Sequence, residues 1–443
     1  MMYSSAHRGR ILHLLRDPHD GDESSFEYFD DGLLLIDVDG RVIELGPYPD
    51  LVKKISSEIR ITNHGRKLLV PGFVDTHIHF AQSGVIASYG TQLLDWLERY
   101  TFPAEMRCED MAHAANLAEF FIQQLLKNGT TTAMVFGTVH PQSVEAFFKV
   151  CEPLNLRMIC GKVLMDRHAP PALCDNPDQG YRDSAALIEK WHGKGRLGYA
   201  VTPRFAPTSS DEQLKKAGEL IKHYPGVFMQ THLSENVREC EWVSELFPKS
   251  QDYLDVYEQA GLLGSRSVFA HGIHLSDREW QALSATHSSI SFCPCSNLFI
   301  GSGLFNLHQA DHHQVQVSLG SDVGGGDSFS MLRVMNEAYK VQQLQGHNLH
   351  PLRALYLATL GGARSLELDD VIGNFQVGKE ADFVVLDPNA TDLLAHRTSG
   401  VEDIEELLFA MLMLGDDRIV SETWSMGNQV WALPVSENSI HIG

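Results

Sequence analysis

The sequence predicts an α/β chain: a (β/α)8 TIM-type barrel with a small β-sandwich domain formed by both chain ends. Three observations carry this reading. Eight short β-rich apolar runs lie between Leu68 and Gly325, helix-like stretches separate them, and four histidines and one aspartate stand at the C-terminal ends of four runs. Strands that alternate with helices imply parallel pairing. A closed barrel of such strands gathers their C-terminal ends on one face, where barrels keep their active sites. An open doubly wound sheet would instead scatter the same five side chains along an edge.

Taken in order, residues 1–69 read as the first part of the sandwich. They include LLLIDVDGRVIEL, two β-like runs joined by Asp39-Gly40, a type I′ hairpin signal. Residues 70–372 read as the barrel. Its strand candidates begin with LLVPGFVDTHIHF, TTTAMVF, LRMICGKVLMD and LGYAVTPRF. They continue with GVFMQTHLSE, RSVFAHGIHL, SSISFCPCSN and VQVSLGSDVGG. Between them, DMAHAANLAEFFIQQLLKNG has apolar residues at helical spacing and a closing Gly129, and SSDEQLKKAGELIKHY offers Ser210 as an N-cap. One long insertion, roughly Ala81 to Met106, follows the first strand and carries Trp96, Tyr100 and Phe102, so it reads as a lid or a dimer contact. Residues 373–443, with DFVVLD and a second turn near Gly427-Asn428, complete the sandwich.

Composition narrows the function. A net charge of -22 argues against binding a nucleic-acid backbone or an anionic membrane, and leaves room for a small neutral heterocycle as substrate. No window approaches the ~20 apolar residues of a membrane span. The seven cysteines are scattered and odd in number, unlike a disulfide framework, which fits a reducing cytoplasm.

The histidines suggest the chemistry. His77 and His79 sit two apart on a strand, so their side chains share a face and can chelate one cation through neutral imidazole. Such a pair, among 22 histidines, says little alone; its weight comes from His232, His271 and Asp322 at later strand ends. Glu235 lies one turn past a strand end, where its carboxylate can lie beside the metal without binding it, take a proton from water and deliver it to substrate. It would equally favour the N-terminus of the next helix. Asp322 precedes Gly324 to Gly326, which let backbone approach a ligand closely. A nitrogen-rich set with one carboxylate favours Zn²⁺, although Fe²⁺ and Mn²⁺ accept similar donors. The site reads as mononuclear: Arg204, at the fourth strand end, cannot bridge cations, and Lys162 on the third reads as structural.

PGFVDTHIH, THLSEN, AHGIHL and GSDVGGG resemble the amidohydrolase superfamily in its mononuclear deaminase branch. DWLERYTFPAEM, NGTTTAMVFGTVH, YAVTPRFAPTSS, CPCSNLFIGSGLFNL and LDDVIGNFQVGKEADFVVLD narrow the resemblance to the guanine deaminases, the bacterial form in particular, from about residue 30 to 430. That resemblance implies one Zn²⁺ per chain on His77, His79, His232 and Asp322, with His271 beside the water or as a further ligand. It implies catalytic roles for Glu235, His271 and Asp322, and purine contacts from Gln82, Arg204 and Phe205, joined by His232, Glu235 and His271. It also implies a homodimer, no organic cofactor, and hydrolysis of guanine to xanthine and ammonia. The same barrel also serves deaminases of pterins, s-triazines, cytosine and adenosine. A further alternative is a non-catalytic scaffold, which usually lacks metal ligands.

Overall fold

In the computed structural model, residues 3–18, 22–56, 58–90 and 93–434 are described. Among them, the chain enters through β1 (Tyr3–Leu14), β2 (Phe26–Asp37), β3 (Val42–Pro47) and β4 (Ile61–Pro71). It then builds a barrel from β5 (Phe73–His79), β6 (Thr130–Phe136), β7 (Arg157–Gly161), a short β8 (Val163–Leu164), β9 (Gly198–Pro203), β10 (Phe228–Leu233), β11 (Ser267–His271), β12 (Ser289–Phe292) and β13 (Val317–Leu319). Finally β14 (Phe383–Leu386), β15 (Val420–Ser425) and β16 (Asn428–Ala432) return to the entry strands.

The predicted fold class holds. Barrel strands pair in parallel in the order β13-β12-β11-β10-β9-β7-β6-β5. Closure comes from the segment after β13: Asp322 N donates to His77 O at 2.9 Å, and His79 N donates to Val323 O at 2.8 Å. The barrel seam therefore joins the backbones of the predicted ligands. One apolar residue from each of six strands, from Val74 round to Val268, packs with Ala363, Leu366 and Ile372, filling the barrel on the side of the strand starts.

The helices form where the sequence placed them, for identifiable reasons. Met111–Lys127 is N-capped by Asp110, whose carboxylate accepts from His113 N at 2.9 Å, and it buries Ala114, Ala118, Phe121, Ile122 and Leu125 along one face. It ends before Gly129, whose φ of +79° suits glycine and where a Cβ would lie 2.7 Å from Val384. Ser210 caps Asp211–His223 by accepting from Gln213 N.

The chain ends meet in one hydrogen-bonded path of seven strands, β16-β15-β14-β4-β1-β2-β3, antiparallel except for the β1–β4 pair. The Asp39-Gly40 hairpin exists, but only Gly40 has positive φ, so the type I′ expectation is corrected there. Asp37 Oδ1 instead accepts from Asp39 N and Arg41 N, an Asx-type arrangement that leaves Asp39 in ordinary backbone geometry. The β15–β16 turn does place two successive residues, Met426 and Gly427, at positive φ.

A buried polar cluster docks the sheet on the barrel. Arg196 donates to Glu380 Oε2 at 3.0 Å, Ser425 Oγ at 2.8 Å and Asn155 O at 2.9 Å, and pairs with Asp382. Removing one partner of such a pair leaves uncompensated buried charge and costs about 3–5 kcal/mol. Arg196→Ala is therefore expected to lower the denaturation midpoint by that amount of stability, as urea unfolding would show.

Candidate metal centre and substrate pocket

His77 and His79 end β5, His232 lies on β10, and Asp322 follows β13. One ligand atom from each lies within 4.8 Å of the others. His79 Nε2 and His232 Nε2 are 3.2 Å apart, His77 Nε2 and Asp322 Oδ1 3.3 Å, and His79 Nε2 and Asp322 Oδ1 3.4 Å. Four donors bound to one cation at roughly 2.0–2.1 Å in a tetrahedron are themselves about 3.3–3.4 Å apart. Three of the six donor separations match that spacing, and all six are within 4.8 Å.

Proton placement supports the same conclusion. His232 Nδ1 lies 2.7 Å from Arg204 O, which can only accept, so the proton is on Nδ1 and the Nε2 lone pair faces the cluster. Burial pushes His79 and His232 well below the usual imidazole range and lowers His77, keeping all three in the neutral, metal-binding form. Burial opposes ionisation of Asp322, yet His77, His271 and His79 hold its carboxyl far below the ordinary range. Among the described residues, His77 Nε2 is a buried nitrogen without a hydrogen-bond partner. A cation would satisfy it.

His271, at the end of β11, stands beside the four rather than among them. Its Nδ1 meets Asn297 Oδ1 at 2.8 Å, and its Nε2 lies 3.5 Å from Glu235 Oε2 and 3.8 Å from Asp322 Oδ2. Burial works against its charged form, but Glu235 and Asp322 outweigh burial and raise its pKa. His271 and Asp322 both occupy left-handed backbone, at φ +73° and +50°. Such conformations cost about 1–3 kcal/mol each in non-glycine residues and concentrate at functional sites. Cys293 also lies within 4.8 Å of His271 and Asp322. Burial drives its thiol well above its ordinary pKa, so it stays protonated and a poor ligand.

Glu235 is buried next to the cluster, and burial pushes its carboxyl up to about 7. Ser302 Oγ donates to its Oε1 at 3.0 Å. Beside these groups a pocket is lined by Leu93, Trp96, Leu97 and Ile300 together with Gln82, Arg204 and Phe205. Leu93, Trp96 and Leu97 belong to the predicted insertion, of which residues 91 and 92 lie outside the described residues. The glycines after Asp322 bring backbone against Gln82: a Cβ on Gly324 would sit 2.8 Å from Gln82 O.

The sequence model of the amidohydrolase family matches residues 68–430. A guanine deaminase of Escherichia coli is 52% identical over 426 residues, covering 96% of this chain and 97% of its own. The chain belongs to the guanine deaminases of the amidohydrolase family. Among solved structures, the guanine deaminase from Bradyrhizobium japonicum superposes with a TM-score of 0.94 at 39% identity, over 98% of this chain and 100% of that one. One from C. acetobutylicum, with guanine bound in its active site, gives 0.88 at 28% identity, over 96% and 100%.

In this guanine deaminase family member, most residues singled out from sequence line one pocket, namely His79, His232, Asp322, Glu235, Gln82, Arg204 and Phe205; His77 and His271 sit behind its wall, against the clustered donors. Lys162 stays apart, fully buried, donating to Val163 O and pairing with Asp175. Sequence reasoning missed Glu105 and Ser302. Glu105 stood inside the insertion, where an acid between Phe102 and Met106 was the available signal, whereas Ser302 carried none. Asp75, noted only for preceding the histidine pair, is buried and accepts from Ser321 N at 3.0 Å, Ser321 Oγ at 2.5 Å and His77 N at 3.2 Å. Burial raises its carboxyl to about 7, and its hydrogen bonds tie β5 to the segment bearing Asp322. Among the described residues, no helix is long and apolar enough to cross a membrane.

Proposed function

We propose that this chain hydrolyses guanine to xanthine and ammonia at a single Zn²⁺ held by His77, His79, His232 and Asp322. The observation that carries the reading is the spacing of four donors, three buried and His232 half-buried, beside a pocket that an arginine and a glutamine also line. When bound, the cation would acidify water and so supply a nucleophile at neutral pH.

The protein's own groups divide the remaining work. Arg204 and Gln82 orient the purine: a guanidinium donates to the ring carbonyl that guanine has and adenine lacks, and an amide both donates and accepts along the ring edge. Phe205 packs in the apolar cluster with Leu93, Trp96 and Leu97 that excludes water from the ring. Glu235, poised near 7, takes a proton from the attacking water and delivers it to the ring nitrogen beside the amino-bearing carbon. Oxygen then adds to that carbon, giving a tetrahedral centre. Asp322 and His271 orient the nucleophile, and Asp322 passes the second proton to the departing amine. One water is consumed, the C–N bond breaks, and ammonia leaves with xanthine as the other product.

The test is direct. Zinc-loaded protein incubated with guanine is expected to release xanthine and ammonia in equal amounts. Turnover of a pterin, an s-triazine, cytosine or adenosine in place of guanine would overturn the substrate assignment. Arg204→Lys keeps the charge but not the planar fork, and is expected to lower kcat/KM for guanine by about 10- to 100-fold, the worth of a charge-assisted hydrogen bond. Zinc content should be unchanged. We place the homodimer of the sequence reading alongside this function, with sedimentation velocity as its check.

A further inference from the structure

We infer that Glu105 is the positioning residue that sets selectivity for a purine bearing a 6-carbonyl, by holding Arg204 and Gln82 in their receiving arrangement. The inference rests on the guanine-site reading above. Glu105 lies on the helix Phe102–Met106, at the end of the insertion whose Leu93, Trp96 and Leu97 line the pocket, and is 1% exposed. Its Oε1 and Oε2 each lie 2.8 Å from Arg204 Nη1, and Oε1 also accepts from Gln82 Nε2 at 3.0 Å. Both side chains assigned to the purine edge therefore converge on one carboxylate.

The pattern of bonds determines what is left for a ligand. Glu105 engages only Nη1, so Arg204 Nε and Nη2 have no hydrogen-bond partner among the described residues and remain available to a carbonyl oxygen. Gln82 is held at both ends of its amide, with Nε2 on Glu105 and Oε1 3.3 Å from Gly324 N, which fixes the edge it presents. The same helix grips the guanidinium a second time, since Arg204 Cζ lies 5.6 Å from the Phe102 ring centre. Charge adds a further reason. Arg204 and a bound cation share one pocket, and like charges in a poorly solvated space repel strongly. The Glu105 carboxylate offsets the guanidinium locally and keeps Arg204 beside the substrate position. Without it, a long flexible side chain would be left buried, charged and unpaired.

The experiment compares competitive inhibition of guanine turnover by hypoxanthine and by purine. Both rings lack the reacting amino group, and hypoxanthine carries the 6-carbonyl that purine lacks. Wild-type protein is expected to bind hypoxanthine more tightly than purine. Glu105→Ala should weaken hypoxanthine at least about tenfold while leaving purine within about threefold, so the preference collapses. Guanine KM should rise more than kcat falls, and zinc content should stay at the wild-type level. Glu105→Gln keeps the shape and one acceptor, should restore part of the preference, and serves the same comparison should the alanine variant fail to fold. An unchanged preference, or equal weakening of both rings, would overturn the inference while leaving the guanine reading intact. Absence of guanine turnover by the wild type would instead remove that reading and this one with it.

Discussion

Glu235→Gln is expected to lower kcat on guanine by about 10²- to 10⁴-fold, the usual worth of a positioned general acid–base, with metal content unchanged. Glutamine matches glutamate in shape and keeps an oxygen to accept from Ser302 Oγ, so the pocket should hold its form. What it loses is the ability to carry a proton between water and the purine ring. Glu235 is not one of the four clustered donors; it meets the cluster through His271, at 3.5 Å. Steady-state release of xanthine, read beside metal analysis of the same sample, checks this. A parallel loss of metal and activity would make Glu235 a ligand instead.

The second large effect comes from the donors themselves. His79→Ala or His232→Ala removes one of two imidazoles whose Nε2 atoms lie 3.2 Å apart and face a common point. Activity should fall to background and bound cation should drop towards zero, with the barrel still folded. The thermal midpoint offers an independent reading. A ligand at 100 times its dissociation constant stabilises the folded state by about 2.7 kcal/mol, so added Zn²⁺ should raise the midpoint of metal-stripped wild type and leave that of either variant unmoved. A normal zinc response from His232→Ala would contradict the assignment.

The sequence made the architecture legible because periodicity and turn chemistry report directly on local structure. Every barrel strand from Phe73 to Leu319 overlaps a run read from its apolar residues, and Ser210 caps its helix as its place in the sequence predicted. The clustered donors were legible because they lie at or just past strand ends, and strand ends of a parallel barrel share one face. Relations across elements were not legible. Nothing near Glu105 says that its carboxylate will meet Arg204, 99 residues away, or that Ser302 will reach Glu235, 67 residues away. The sheet–barrel cluster of Arg196, Glu380 and Asp382 was hidden for the same reason, since it joins a barrel residue to two residues 184 and 186 positions later. The Asp39-Gly40 turn type was misjudged because the Asp37 side chain, bonding to the turn's own amides, competed with the hairpin rule.

The central claim is that four side chains from distant strands hold one cation beside a purine pocket. Anomalous diffraction at the zinc edge, from crystals of active protein, tests it most directly. A single peak is predicted at about 2.0–2.2 Å from the Nε2 atoms of His77, His79 and His232 and from Asp322 Oδ1. Protein that converts guanine to xanthine with no peak there, or with its metal held by other residues, would contradict it.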